Sequence, residues 1–260
     1  PVIWRECRRP AHCLRYKKDK GLVIFLIYRF GELTKYIQEA EAMGYNIAID
    51  GPAGAGKSTV AKKIAQRKQF IYVDTGAMYR AMALYFLQEG IGGEEKEKIS
   101  ASCKDVDITI RYVDGEQVVF LNGENVNGRI RTEEVGNMAS VTSPNPDVRK
   151  KLVELQQQLA KSADVVMDGR DIGTCVLPDA DVKVYLTAGS AVRAKRRYEE
   201  LLAKGEECDL AQIEKEIIER DERDMNRDIS PLRQAEDAVL IDSSGMAIEE
   251  VVEKIIGLCS

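Results

Sequence analysis

The sequence predicts an α/β protein of three layers, in which helices cover both faces of a central parallel five-stranded sheet. Two observations predict this fold. Apolar segments typical of buried strands alternate with amphipathic helical segments from residue 45 onward, and a glycine-rich loop separates the first such strand from the first such helix. The length of 260 residues suits one well-buried domain that carries an insert.

The first strand–helix unit contains the glycine-rich loop. Asn46–Asp50 (NIAID) is an apolar run typical of a buried strand, and Lys57–Arg67 has the spacing of an amphipathic helix. A second short strand is predicted at Ile71–Val73. The next helix is predicted to begin with Thr75 as its N-cap and to end at Gln88.

The pattern changes near residue 105. Three short strands are predicted at Asp107–Val113, Gln117–Leu121 and Glu124–Val126, separated by Asp114-Gly115 and Asn122-Gly123, which are strong hairpin signals. Two helical segments follow, at about 132–141 and 148–161. Antiparallel strands within an alternating β/α chain indicate a small inserted subdomain.

The α/β alternation then returns and completes the sheet. Strands are predicted at Asp164–Asp168, Asp181–Leu186 and Val239–Asp242, and helices at Ala191–Lys204, from Asp209 to about Arg227, and at Ala247–Leu258. Together with the two earlier strands these make five, joined by helices as parallel strands require.

Composition excludes several classes of function. The net charge of −5 and the pI of about 5.3 disfavour a nucleic-acid partner. The six cysteines lack C-x-x-C spacing and are typical of reduced thiols in a cytoplasmic protein. The longest apolar run, Leu22–Tyr28, is too short to span a membrane, and no cleavage site follows it. We therefore expect a cytoplasmic protein that binds neither nucleic acid nor membrane.

Histidine chemistry is excluded from most of the chain. The single histidine, His12, precedes Met43, and no histidine follows it. Ser-His-Asp and Cys-His nucleophiles and histidine-ligated metals are therefore not expected after Met43. Catalysis there has to use Lys, Arg, Asp, Glu, hydroxyl groups and the backbone.

The glycine-rich loop matches the phosphate-binding pattern G-x-x-x-x-G-K-S/T between a strand and a helix. Its backbone N–H groups and the helix N-terminus would hold phosphate, Lys57 would reach the β- and γ-phosphates, and Ser58 would bind Mg²⁺. The predicted ATP-binding residues are Gly51, Pro52, Ala53, Gly54, Ala55, Gly56, Lys57, Ser58 and Thr59. Neither the N-K-x-D motif of GTPases nor the L-S-G-G-Q signature of transporters occurs.

Arginines in three later segments indicate a second, phosphate-bearing substrate. Arg80 follows the second strand, Arg170 follows the third parallel strand, and the segment 220–227 has three more arginines on one helix. Arginine binds phosphate oxygens in a bidentate manner, so arginines near the loop suit an acceptor phosphate. A purely structural role is the alternative to substrate binding for these segments. Thr75 is also a predicted helix cap, and charged residues on a helix are often only solvated.

Five motifs together resemble the bacterial cytidylate kinase family: IAIDGPAGAGKST, DTGAMYR, VNGRIRTEEVGNMAS, DGRDIGT and ERDERDMNRDISPL. The resemblance covers residues 43–260. It implies the P-loop nucleoside-monophosphate-kinase fold, with a monophosphate-binding insert at about 105–162 and a helical lid at about 193–230. It also implies transfer of phosphate from MgATP to CMP or dCMP, giving CDP or dCDP.

The resemblance further implies roles for individual residues. Lys57, Arg80, Arg170 and Arg227 would be catalytic. The CMP-binding residues would be Thr75, Arg80, Arg131, Ser140, Arg149, Arg170, Asp171, Arg220, Asp224 and Arg227, of which Ser140, Arg149 and Asp171 would read the base. Ser58 would hold Mg²⁺, with Asp168 acting through water.

The assignment agrees with the chemistry of cytosine. Asp171 can accept a hydrogen bond from the exocyclic amine, and Arg149 and Ser140 can donate to the ring acceptors. Uracil has a carbonyl in place of that amine, so a carboxylate would disfavour it. We expect Cys175 in the core.

Two other classes of protein share the phosphate loop. A UMP or shikimate kinase shares the loop, but the three base-reading residues argue against it. A P-loop binding protein without turnover is disfavoured by Lys57, Ser58 and the arginine set. We expect a monomer that acts on ATP and CMP or dCMP.

Residues 1–42 do not resemble the family. They contain nine Lys or Arg and five Asp or Glu, and they lack the periodic pattern of the remainder. One interpretation is a short accessory helix or targeting arm. We favour another, in which Met43 is the natural start, because codons for Gln38-Glu39-Ala40 can contain a bacterial ribosome-binding sequence.

Overall fold

The computed structural model describes residues 13–18, 21–26, 44–113 and 116–259. It has two compact units, Pro1–Gly44 and Tyr45–Ser260. In the first unit, strands β1 (Cys13–Lys18) and β2 (Gly21–Leu26) form an antiparallel pair. These two segments contain β-branched and aromatic residues and form strands, so the alternative of an accessory helix does not describe them, and the favoured interpretation, in which Met43 is the natural start, stays a prediction. The remainder of 1–42 lies outside the described residues.

The second unit alternates strands and helices. Its elements are β3 (Asn46–Asp50), α1 (Lys57–Lys68), β4 (Ile71–Asp74), α2 (Thr75–Gln88), α3 (Lys96–Ser102), β5 (Ile108–Val113), β6 (Glu116–Leu121), β7 (Glu124–Asn125), α4 (Glu133–Thr142), α5 (Pro146–Ser162), β8 (Val165–Gly169), a π-helical turn (Ile172–Val176), β9 (Val182–Thr187), α6 (Ser190–Ala203), α7 (Leu210–Asn226), β10 (Val239–Asp242) and α8 (Ile248–Ile256).

Five of these strands form the predicted parallel sheet, in the order β10-β9-β3-β8-β4. The phosphate loop follows the central strand β3, whose residues are all buried. Because the strands are parallel, their carboxyl ends lie along one edge of the sheet. In open α/β sheets this edge binds ligands.

Apolar residues cover both faces of the sheet, and helices pack on each face to bury them. The unit therefore has three layers. On one face Ile47, Ile49 and Leu186 belong to a cluster that contains residues of α1 and α8. On the other, Val73 and Met167 belong to a larger cluster with residues of α2, α4 and α5. None of the helices in the described residues is both long and apolar enough to cross a membrane.

The inserted antiparallel sheet is present and lies beside β4. Strands β5, β6 and β7 pair in that order, although the predicted turn at Asp114-Gly115 lies outside the described residues. The Gln117 amide accepts from the backbone N–H of Asp74 (2.8 Å) and donates to its carbonyl (3.2 Å). The Tyr112 hydroxyl donates to the Tyr72 carbonyl at 3.0 Å. Side chains of the insert therefore bind the backbone of β4.

Two local features differ from the sequence prediction. Asp74, and not Thr75, is the N-cap of α2, because the Asp74 carboxylate accepts from the Ala77 N–H at 2.9 Å. Thr75 is the first helical residue, and its hydroxyl donates to the Asp168 carbonyl at 2.8 Å. Helix α3 and the π-helical turn were not predicted, since each is short and lacks a clear period.

Candidate active site

The phosphate loop has a backbone that only glycine permits at its start. Gly51 has φ of 145°, and a Cβ there would lie 1.9 Å from the Leu186 carbonyl oxygen. Gly54 and Gly56 also have positive φ, at 76° and 90°. Gly56 is the N-cap of α1 and provides no side-chain cap, so the first N–H groups of the helix remain available to an anion.

Lys57 is buried beneath this loop. Its side chain turns back so that Nζ donates to the Pro52 carbonyl at 2.7 Å, and the residue is 6% exposed. Burial, followed by the nearby charge of Arg170, lowers the pKa of Lys57 to about 7. A phosphate group at the loop would favour the protonated form of this amine.

Ser58 and Asp168 form an oxygen pair beside the loop. The Ser58 hydroxyl donates to one Asp168 oxygen at 2.9 Å, and the Tyr72 hydroxyl donates to the other at 2.9 Å. Burial and the neighbouring Asp74 raise the pKa of Asp168. Mg²⁺ prefers oxygen ligands and keeps several waters, so this pair fits an ion that is also held by phosphates. The described residues contain no cluster of three metal-binding side chains.

Two of the three residues predicted to read the base, Arg149 and Asp171, meet at the carboxyl end of β8. Arg149, from α5, contacts a carboxylate oxygen of Asp171, and both residues are buried. The Arg227 guanidinium is 3.8 Å from the other Asp171 oxygen. Ser140 lies apart from this contact, in a cleft of about 320 Å³ that Asp224 and Arg227 also line. The predicted set thus shares one region, although only Arg149 touches Asp171 directly.

Three arginines, Arg170, Arg220 and Arg227, carry charges that act on Asp224, and two of them leave hydrogen-bonding capacity in the site. Arg170 Nε donates to Asp224 at 2.8 Å; burial opposes its charge, yet Asp224 raises the pKa of Arg170 overall. Arg227 Nε donates to the Ser230 carbonyl at 2.6 Å. Within the described residues, Arg220 Nε and Arg227 Nη2 are buried without a hydrogen-bond partner. Buried donors of this kind indicate an anionic ligand.

Arg80 and Arg131 are both neighbours of Asp74, at the start of α2. Arg131 donates to the Asp74 carboxylate at 2.6 Å, and its side chain is 58% exposed. Burial lowers the pKa of Arg80, with Asp74, Arg131 and Arg170 among its neighbouring charges. Arginines from separate segments of the chain therefore converge near the phosphate loop.

Comparison with known proteins shows the family of this chain. A model of the family "Cytidylate kinase" matches residues 47–260. The chain belongs to the cytidylate kinase family. The curated "Cytidylate kinase" of Caldicellulosiruptor bescii is 52% identical over 213 residues, which are 82% of this chain and 94% of that protein. The "Cytidylate kinase" of Bacillus subtilis is 49% identical over 211 residues, which are 81% and 94% of the two chains. The resemblance found in the sequence is confirmed.

This member of the cytidylate kinase family has further residues in its site that were not predicted from the sequence. The Asp50 carboxylate accepts from the N–H groups of Ile172 (2.8 Å) and Gly173 (2.7 Å), and burial raises its pKa to about 6. Asp50 therefore holds the backbone just after Asp171. The sequence offered one indication that Asp50 belongs to the site, namely its position at the end of β3, directly before the phosphate loop.

Tyr79 is a second unpredicted residue. Its hydroxyl is buried without a hydrogen-bond partner in the described part of the chain, and burial raises its pKa to about 12. The charges that act on it include Arg149, Asp171 and Arg227. Cys175, which we expected in the core, is only partly buried and also lies near Tyr79. The expectation for Cys175 is corrected, since the π-helical turn leaves its side chain partly exposed.

Proposed function

We propose that this enzyme transfers the γ-phosphoryl group of ATP to CMP or dCMP, giving ADP and CDP or dCDP. The observation that carries the proposal is the buried Arg149–Asp171 contact beside the phosphate loop. A carboxylate held by a guanidinium in a buried site suits an exocyclic amine as its ligand, and the adjacent arginines suit a phosphate. The family assignment supports the same acceptor.

The donor nucleotide would bind to the loop. Its phosphates would accept from the backbone of residues 51–59, and Lys57 would neutralise charge on the β- and γ-phosphates. Lys57 would be released from the Pro52 carbonyl when it donates to phosphate. This change exchanges one hydrogen bond for a charge-assisted one.

Ser58, with Asp168 through water, would hold Mg²⁺, which supplies charge neutralisation at the β- and γ-phosphates when it is bound. The hydrogen bond between the Ser58 hydroxyl and the Asp168 carboxylate keeps both oxygens on the side of the loop where α1 begins. Tyr72 fixes the second carboxylate oxygen and therefore its orientation. The residues present fit such an ion without a protein-only cage.

The acceptor phosphate and the transferring group would lie among Arg80, Arg170 and Arg227. The sugar and phosphate would also contact Thr75, Arg220 and Asp224, with Arg131 at the rim. Ser140, Arg149 and Asp171 would read the base. In this proposal residues 105–162 form the monophosphate-binding insert and residues 193–230 form the lid, which would exclude water from the reacting phosphate.

Phosphoryl transfer of this kind needs positioning and charge stabilisation more than proton abstraction. The proposed arrangement agrees with that requirement, since Lys57 would lie on the donor side of the γ-phosphate and the arginines on the acceptor side. The attacking phosphate oxygen of CMP requires no general base, because it is already anionic at neutral pH.

The experiment is an acceptor panel with purified protein, ATP and Mg²⁺, in which ADP release is measured for CMP, dCMP, UMP, AMP and shikimate. We expect turnover with CMP and dCMP and a kcat/KM at least about 100-fold lower with UMP, because the uracil carbonyl would face Asp171. Chelation of Mg²⁺ should abolish turnover, and added Mg²⁺ should restore it. Equal rates with CMP and UMP, or ADP release that is independent of acceptor, would contradict the proposal.

We further propose a monomeric enzyme of the cytoplasm, where its nucleotide substrates occur. Cys103, Cys175, Cys208 and Cys259 are free thiols, as in proteins of a reducing compartment. Light scattering coupled to size exclusion should give a mass near 29.0 kDa for the 260-residue chain. A mass of twice that value would contradict the monomer.

A further inference from the structure

Arg193, in the first turn of α6, binds three separate parts of the enzyme. Its Nε donates to the Ala188 carbonyl at 2.8 Å, its Nη1 donates to the Ala53 carbonyl at 2.9 Å, and its Nη2 donates to the Asp221 carboxylate at 2.6 Å. The residue is 5% exposed. One buried guanidinium therefore joins the end of β9, the phosphate loop and α7.

The contact with the loop is close and well defined. Ala53 lies between Pro52 and Gly54, and a Cβ added to Gly54 would lie 3.3 Å from the Arg193 Cβ. The loop backbone thus rests against the Arg193 side chain as well as accepting its hydrogen bond. Because the Ala53 carbonyl is fixed, the orientation of the neighbouring peptide groups in the loop is restricted too.

The contact with α7 leads to the proposed acceptor site. Asp221 follows Arg220 in the chain and lies one helical turn before Asp224, which holds Arg170 at 2.8 Å. The second carboxylate oxygen of Asp221 is buried without a partner in the described residues. A buried ion pair with an unsatisfied oxygen contributes little to stability, because its hydrogen bonds do not fully offset the cost of removing both charges from water.

We infer that Arg193 and Asp221 are a positioning pair that couples the phosphate loop to the acceptor-binding helix α7. The inference rests on the proposed function. The pair already joins α7 to Ala53, so CMP that binds Arg220, Asp224 and Arg227 restricts the movement of α7 and thereby stabilises the loop conformation that receives ATP. By linkage, ATP on the loop then favours CMP binding by the same factor.

The test measures this coupling on the full chain. Calorimetry gives the Kd of CMP with and without a non-hydrolysable ATP analogue and Mg²⁺. In the unaltered enzyme we expect the analogue to tighten CMP binding at least about 5-fold. In Asp221→Asn and in Arg193→Lys this factor should fall towards 1, while the Kd of CMP alone changes less than about 3-fold.

A structural role would give a different result. Asp209 caps the other end of α7 by accepting from the Gln212 N–H at 2.7 Å, and it lies far along the helix from Asp221. Asp209→Ala should therefore weaken α7 but preserve the coupling factor. If it reduces the factor as much as Asp221→Asn at equal loss of stability, the pair is only structural and the inference is wrong.

The remaining outcomes are also decisive. If Asp221→Asn does not fold, Arg193→Lys decides the question. Lysine keeps the positive charge beside Asp221, but its single nitrogen lacks the planar fork with which Nε, Nη1 and Nη2 of arginine reach three separate acceptors. A coupling factor that is unchanged in the variants overturns the inference. If the unaltered enzyme phosphorylates CMP but shows a factor near 1, the inference fails alone; if it does not phosphorylate CMP, the proposed function fails.

Discussion

The donor and acceptor sides of this site are built in different ways. The proposed donor side is one continuous segment, Gly51–Thr59, which would bind phosphate mainly through backbone N–H groups and which contains glycines at positive φ. The proposed acceptor side is a set of arginine and aspartate side chains from several helices and the end of β8, which pair with one another. A backbone site suits any nucleoside triphosphate, whereas a side-chain site can distinguish one base from another. The specificity of the enzyme should therefore reside on the acceptor side.

The largest effect should come from Lys57, the cationic side chain of the proposed donor side. Lys57→Ala should lower kcat by about 10³-fold or more, because a charge that stabilises the transferring phosphoryl group is lost. Stability should not fall, since the buried amine is already disfavoured by its surroundings. Steady-state ADP release and thermal unfolding check both statements. The matched control is Lys62→Ala on the same helix, whose side chain is 52% exposed. A Lys57→Ala enzyme with normal activity would contradict the proposed role of Lys57 in phosphoryl transfer.

The next effect tests Asp50, which joins the two sides. Its pKa is raised to about 6 in the folded state, above the unfolded value of about 4. As pH rises from 4 to 6 the unfolded chain releases this proton first, so the folded state loses up to about 3 kcal/mol of stability. The stabilisation that the raised pKa of Asp50 gives the folded state is fully present below about pH 4 and is lost above about pH 6.

Chemical denaturation between pH 4 and 7 would measure this loss. Asp50→Asn cannot titrate at this position, so the free energy of unfolding of the unaltered protein, relative to the variant, should fall over that interval. A constant difference between the two proteins would show that Asp50 titrates normally.

Base selectivity should depend on Asp171. In Asp171→Asn, kcat/KM for CMP should fall about 10- to 100-fold, and the ratio of CMP to UMP turnover should approach 1, because an amide can donate to the uracil carbonyl. KM for ATP should stay within about 2-fold. Asp179→Asn, at an exposed position of the following loop, is the control and should leave the ratio unchanged. Selectivity that survives in Asp171→Asn would move base recognition to another residue.

The smallest effect should come from the exposed rim of the acceptor side. Arg131→Ala should raise KM for CMP about 5-fold with kcat nearly unchanged, because its pair with Asp74 is partly screened by solvent. Initial-rate measurements at varied CMP check the split. Arg129→Ala removes a nearby arginine that pairs with Glu124 and should have no effect. A large loss of kcat in Arg131→Ala would place this residue at the reacting phosphate.

The two sides also differ in how far the sequence predicted them. The loop, its strand and its helix are contiguous, so motif and periodicity were sufficient. The contact of Arg149 with Asp171 joins residues 22 positions apart, and only the family resemblance suggested it. Asp74 and Thr75 are both good N-cap residues. Asp74 caps α2, while the Thr75 hydroxyl donates to the carbonyl of Asp168, a residue too distant in sequence for this contact to be predicted. The partners of Asp50 and Arg193 depend on tertiary packing in the same way.

The insert also has a consequence for the outer strand of the central sheet. An exposed strand edge presents unpaired N–H and C=O groups to which another chain can add, which is a common start of aggregation. On β4 three such groups, on Tyr72 and Asp74, bind Tyr112 and Gln117 instead. The Gln117 amide offers one acceptor and one donor to Asp74, as a neighbouring strand would. The insert that we assign to substrate binding therefore also protects the outer edge of β4 from pairing with another copy of the chain.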